Sequence, residues 1–260
     1  MNLIQIEWLK VRTYKTFWIL IGLFIVISIL SNYVGISIAN NLSLGSGGML
    51  NQNFAFPAAW DFTAFVQSWV IIFLVFFTII SVSNEFTFRT HRQHIIDGLS
   101  RIDFLHSKYL VVFGLSIFST LIFIIISAFI GLIHGGGNAM QHSEKIIYVF
   151  IYTFNYCSFG LILSFLLRKT GIAIILFLGY LFVEFVLGQA INYFTNSTFG
   201  SLLPLQVSDE LLPIESLKSM KKMVGASFET LPEMLYLFVS LLFTSMYYLF
   251  LRMRMAKTDL

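Results

Sequence analysis

Six long apolar runs fix what this chain can fold into: Phe17–Ile38, Phe62–Ser83, Tyr109–Ile133, Ile146–Leu167, Gly171–Ile191 and Met234–Leu251. As helices rising about 1.5 Å per residue, such runs can cross a hydrocarbon core of about 30 Å. The last is the shortest and can extend back to Leu231. Only 11% of the 260 residues are charged and 57% are hydrophobic, whereas soluble domains carry roughly 25% charged residues. A water-soluble core of this size could not hide so much apolar surface. The expectation is an all-α integral membrane protein, one transmembrane domain over residues 1–260.

Orientation follows from Lys and Arg, which stay on the cytoplasmic side. One set of flanking segments holds Lys10, Arg12, Lys15, Arg89, Arg92, Arg101, Lys108, Arg168, Lys169, Arg252, Arg254 and Lys257. The opposite set holds Lys145, Lys218, Lys221 and Lys222. Both termini are therefore expected in the cytoplasm, with the chain in a bacterial inner membrane. The net charge of +3 sits at span ends, which argues against a nucleic-acid partner and for contact with membrane lipids. The single cysteine, Cys157, lies inside an apolar run and excludes an intrachain disulfide. No cleavable leader is expected, because the first run is too long and no small-residue cleavage site follows it.

The outer connections are unequal. Ala39–Asp61 contains Gly45-Ser46-Gly47-Gly48, and His134–Lys145 contains Gly135-Gly136-Gly137; both read as turns. Asn192–Glu233 is the longest. Within it, Pro213–Val224 has the pattern of a short helix stopped by Gly225, with Ile214, Leu217 and Val224 on one stripe. Spans four and five are joined by a few residues around Arg168-Lys169-Thr170, which makes a helix hairpin.

Two cytoplasmic segments stand out. Asn2–Lys15 has helical spacing, with Ile4, Trp8 and Val11 on one face and Glu7 three residues from Lys10. It suits a helix lying at the membrane interface, or a plain basic anchor. Asn84–Lys108 reads as a helix starting near Asn84, a stop at Asp97-Gly98, and a second helix opened by the capping-box spacing of Ser100 and Asp103. Phe88, Ile95 and Leu99 stand between basic positions. Such a helix-turn-helix can dock a partner or rest on headgroups.

The residues Glu85-Phe86, Thr90, Asp97-Gly98-Leu99-Ser100-Arg101, Phe104-Leu105 and Lys108 resemble the second-to-third-span loop of ABC-2 type (type V) exporter permeases. The opening Ile6-Glu7-Trp8-Leu9-Lys10 and Thr16-Phe17-Trp18 are similar to the start of that family, as are six spans and a long last outer loop. Arg89 departs from the pattern, standing where the family usually has Gly. The resemblance implies a permease subunit whose coupling helix, Glu85 through Ile96, is received by a separate ATPase subunit. On this basis Glu85, Phe88, Arg89, Arg92, Ile95, Asp97, Gly98, Ser100, Arg101 and Lys108 are expected at the coupling segment, and Glu7, Trp8 and Lys10 in an interfacial helix. A second permease copy, or a related permease, would complete the assembly. No Gly-x4-Gly-Lys-[Ser/Thr] occurs in the chain, so no cofactor is expected here; ATP and Mg would be held by the partner ATPase.

Glu184 lies inside the fifth run. An intramembrane carboxyl is expensive to maintain; it reads either as a functional group (a substrate contact, a proton-sensitive site or an inter-subunit hydrogen bond) or as a structural carboxyl bonded to a neighbouring helix, for example through Tyr180 or a Ser of another span. Gly160/Ser164 and Ser127/Gly131 have the spacing of tight helix contacts. His91 and His94 lack a third ligand nearby, so no metal is expected. A membrane enzyme would need a His-Glu-x-x-His pair, a Gly-x-Ser-x-Gly elbow or paired carboxylates in the spans, and none occurs. A secondary transporter or channel without an ATPase partner is the alternative function, though that class commonly carries several intramembrane ionisable groups and broken helices, against Glu184 alone and no visible break here.

Overall fold

The computed structural model describes residues 7, 9–10, 12–45, 54–88, 90, 100–212 and 231–257. Eight α-helices are labelled here: α1 (Lys15–Gly45), α2 (Ala58–Val70), α3 (Ile72–Thr87), α4 (Arg101–Ile133), α5 (Lys145–Leu167), α6 (Thr170–Thr195), α7 (Gln206–Asp209) and α8 (Glu233–Lys257). A 3-10 turn, Phe199–Leu202, precedes α7. The first span is α1, the second is α2 continued by α3, and α4, α5, α6 and α8 complete six apolar helices long enough to cross a membrane. The chain is a multi-pass all-α membrane protein. Its described termini lie on one face, here called the terminal face; the other is the far face.

The hub is α5, which packs against α2, α3, α4, α6 and α8. Its side chains explain the position. Tyr148, Tyr152, Asn155, Tyr156, Ser158 and Ser164 would be poorly placed against lipid, and all are buried. Gly160 lets α3 approach closely: a Cβ there would press into Val75 and Ile79, the small-residue logic of membrane helix contacts. By contrast α1 and α6 expose large apolar side chains such as Leu23, Val26 and Leu30, or Ile175, Phe182 and Phe185. Those faces can meet hydrocarbon without loss. The proposed contact at Gly131 differs in kind, because its neighbour is the ring of Phe56 in the preceding connection rather than a helix.

Polar groups inside the bundle are cross-bonded. Gln67 of α2 donates to Ser119 Oγ at 3.3 Å, and Thr153 of α5 donates to the same oxygen at 3.2 Å. The second span is interrupted at Ile71, where no break is visible in the sequence. The interruption is a tightened turn, with Leu74 N donating to Ile71 O at 2.8 Å. Three residues before it, the Ser68 carbonyl accepts from Tyr152 Oη at 3.2 Å. A side chain from α5 thus binds backbone beside the interruption, a recognised cause of helix irregularity.

On the far face, Gly135, Gly136 and Gly137 have φ of 109°, 73° and 105°, values that favour glycine. They carry the chain back so that Phe56 N donates to Gly136 O at 2.8 Å. Lys145, buried at the start of α5, donates to Leu211 O at 3.1 Å and lies 3.8 Å from Asp61.

Candidate functional site

At the terminal face, three chain segments converge on a buried charge cluster. Lys108, two turns into α4, is 2% exposed. Its Nζ donates to both oxygens of Glu7 at 2.9 Å and to Glu85 Oε1 at 2.5 Å. Lys10 Nζ reaches Glu7 at 3.1 Å and Glu85 at 3.4 Å, and Ser107 Oγ donates to Glu7 at 2.9 Å. Among the described residues, two carboxylates and two ammonium groups meet in this cluster. Burial alone would raise the Glu7 carboxyl; the adjacent Lys108 and Lys10 outweigh it and hold the group below its usual range.

Each partner is positioned by its own element. Glu7 and Lys10 lie in helical backbone before α1, and their three-residue spacing makes the expected pair. Glu85 lies in the last turn of α3. The second-span helix continues through Asn84 to Thr87, so Asn84 is not the cap of a new helix and Glu85 belongs to the end of the span. A carboxylate there is disfavoured by the helix dipole, and the lysines offset this. Asn84 instead ties segments together: its amide donates to Tyr14 Oη, and its carbonyl accepts from Thr170 Oγ1 at 3.3 Å.

Ser100 caps α4 as its spacing predicts. Its Oγ accepts from Asp103 N at 3.0 Å and donates to Asp103 Oδ2 at 2.6 Å. Arg101 opens the helix, and Phe88, at the end of α3, is 73% exposed. Behind them Phe86, Phe104 and Phe165 pack edge to face with centroids 5.2–6.3 Å apart, and Arg168 stands 5.4 Å above the Phe86 ring. Trp8, Arg89, Arg92, Ile95, Asp97 and Gly98 lie outside the described residues, as do His91, His94 and the Pro213–Val224 segment.

Glu184 has a different setting. It is buried in α6, and its Oε1 accepts from Leu205 N at 2.8 Å and Gln206 N at 3.4 Å. Its partner is therefore the backbone of the connection after α6, together with Tyr180 of its own helix, rather than a neighbouring span. The first part of that connection is not a surface loop. Leu205, Val207, Ser208, Leu211 and Leu212 are all buried. Non-helical backbone at this depth is tolerated where protein surrounds it and satisfies its polar groups. The signal for this in the sequence was present but weak: Tyr152, Asn155 and Tyr156 are polar groups in an otherwise apolar run, and they are what receives the connection.

The model of a protein family described as ABC-2 family transporter protein matches residues 3–198. No curated protein and no solved structure matches the chain. The match takes in the charge cluster and the first five spans, and it ends before the buried connection and α8. By that match, over most of its length, the chain belongs to the ABC-2 transporter family.

Proposed function

We propose that this chain is the non-catalytic membrane subunit of an ATP-driven exporter, and that its terminal face docks a separate ATPase subunit. The lysine and arginine bias supports a cytoplasmic terminal face, and the exporter reading goes with a bacterial inner membrane. The observation that carries the reading is the buried Glu7–Lys10–Glu85–Lys108 cluster. It joins the segment before α1, the end of the second span and the start of the third. Force applied to the 88–100 segment therefore reaches three elements together. Two such subunits, identical or related, would form the substrate path, and ATP-driven closure of the ATPases would switch it.

The test is charge reversal of Arg92 and Arg101 together, measured as ATPase stimulation in the reconstituted complex. The reading expects stimulation to fall sharply while the membrane subunit is still inserted. Full stimulation with normal insertion counts against it.

A further inference from the structure

The first and fifth spans flank α3 toward the terminal face and leave part of it uncovered between them. Phe17 of α1 packs edge to face on Phe77 with ring centroids 5.0 Å apart, and Phe177 of α6 meets Phe76 in the same way at 6.5 Å. At 3.6 residues per turn, Phe73 and Ile80 fall between those two directions, and both are half-buried. Asn84 falls there as well, one turn further along, and it bonds to both walls. Its amide donates to Tyr14 Oη beside α1, and its carbonyl accepts from Thr170 Oγ1 of α6. The result is an apolar groove with α3 as its floor, α1 and α6 as its walls and Asn84 at its terminal-face end.

Cations stand at that end on both walls. Arg12 and Lys15 lie either side of Tyr14, Arg168 and Lys169 directly precede Thr170, and all four side chains are exposed. Asn84 thus gathers two basic pairs that are remote in sequence. Trp18, 54% exposed, donates from Nε1 to Arg12 O at 3.1 Å. A tryptophan with an exposed ring and a bonded N–H suits the level of lipid headgroups, so the Arg12 side of the rim stands at headgroup height. Toward the far face the same two helices continue as apolar surface, with Leu23 and Leu176 among their exposed residues.

We propose that this groove binds an anionic phospholipid, with its phosphate held between Arg12–Lys15 and Arg168–Lys169 and an acyl chain laid along Phe73 and Ile80. The rim selects the ligand by charge. Four positive side chains around one apolar slot complement a molecule with a negative head and a hydrocarbon tail. The two arginines offer a phosphate paired donors, and the two lysines add point charges. A second copy of the chain seated on this face by a two-fold axis would set the same four cations against their own counterparts, a juxtaposition that costs binding energy. A lipid in the groove touches both walls, so it ties the first span to the fifth across α3. The inference stands apart from the exporter reading and needs no ATPase.

The test uses the full chain in phosphatidylcholine nanodiscs doped with a trace of lipid that carries a photoreactive diazirine in its acyl chain. The doped lipid is either phosphatidylglycerol or phosphatidylcholine, and labelled peptides are identified by mass spectrometry. The phosphatidylglycerol probe should label residues 72–80 about fivefold or more above the phosphatidylcholine probe, the scale of one basic residue's attraction to anionic lipid. Excess unlabelled phosphatidylglycerol should suppress it. Arg12→Gln with Lys15→Gln, and Arg168→Gln with Lys169→Gln, should each cut that preference by about fivefold or more. Arg168→Lys, which keeps the charge, should retain most of it. Arg252→Gln, at an exposed arginine of α8 outside the groove, should leave it unchanged. Equal labelling by the two probes would overturn the proposal. So would equal losses from Arg252→Gln and from the groove pairs, which mark a diffuse attraction to the whole face. A photoreactive residue placed at Phe73 that captures a second copy of the chain instead of lipid would overturn it too.

Discussion

Lys108 in α4 donates at 2.9 Å to each carboxylate oxygen of Glu7, a residue 101 positions earlier in the chain. The contact joins the segment before the first span to the start of the third, and both side chains are nearly free of solvent, at 2% and 7% exposed. Removing one partner of such a pair leaves an uncompensated buried charge, which costs about 3–5 kcal/mol. Lys108→Met should therefore destabilise the protein by about that amount. Lys108→Met combined with Glu7→Gln should recover part of the loss, because no new charge is stranded at Glu7. Denaturant unfolding of the purified protein checks both; equal stability of Lys108→Met and the parent would contradict the description of the cluster.

The same pair predicts an acid dependence. Glu7 is held below its ordinary value of 4.5 when folded. A group depressed in the folded state binds more protons when unfolded, so its contribution is present above pH 4.5 and is lost as pH falls through the folded value. Glu7→Gln should flatten stability between pH 4.5 and lower pH while leaving the slope near neutrality unchanged. Thermal melts across that range supply the measurement.

Glycine at 160 is required by proximity. A side-chain carbon there meets Val75 and Ile79, whereas one at Gly22 meets nothing within 4 Å. Gly160→Val should destabilise by about 1–3 kcal/mol through overpacking, and Gly22→Ala should be neutral or slightly stabilising. Thermal melts in one detergent compare them directly.

Glu184 separates acceptor from charge. Glu184→Gln keeps an oxygen for the Leu205 and Gln206 amides. Glu184→Leu leaves those buried donors without it, at about 1–3 kcal/mol for each unsatisfied group. The expected order of stability is Gln above Leu by about 2 kcal/mol or more, measured by denaturant unfolding. Export lost in Glu184→Gln at normal stability would instead assign Glu184 a transport role.

The spans were legible because hydrocarbon imposes a length and a composition on each crossing helix, and six runs met both. The Ser100 cap and the Glu7–Lys10 pair were legible for a related reason: their partners lie three residues away, within one helical turn. The Lys108–Glu7 bond was not, since nothing local relates residues so far apart. Glu85 was misplaced into a new helix because Asn84 has the chemistry of a cap; the apolar face of α3 instead carries the helix on, burying Val82, Ser83 and Phe86. The seating of 199–212 was hidden as well. Its partners, Asn155, Tyr156, Glu184 and Ser240, are spread over three helices, and their convergence depends on tertiary packing.

The most direct test of the central claim places a photocrosslinking residue at Phe88, the exposed end of the second span, and irradiates whole cells. The account predicts a crosslink to a nucleotide-binding ATPase subunit and no labelling of this position by a membrane-impermeant reagent applied from outside. Labelling from outside, or a crosslinked complex that contains no ATPase, would contradict it.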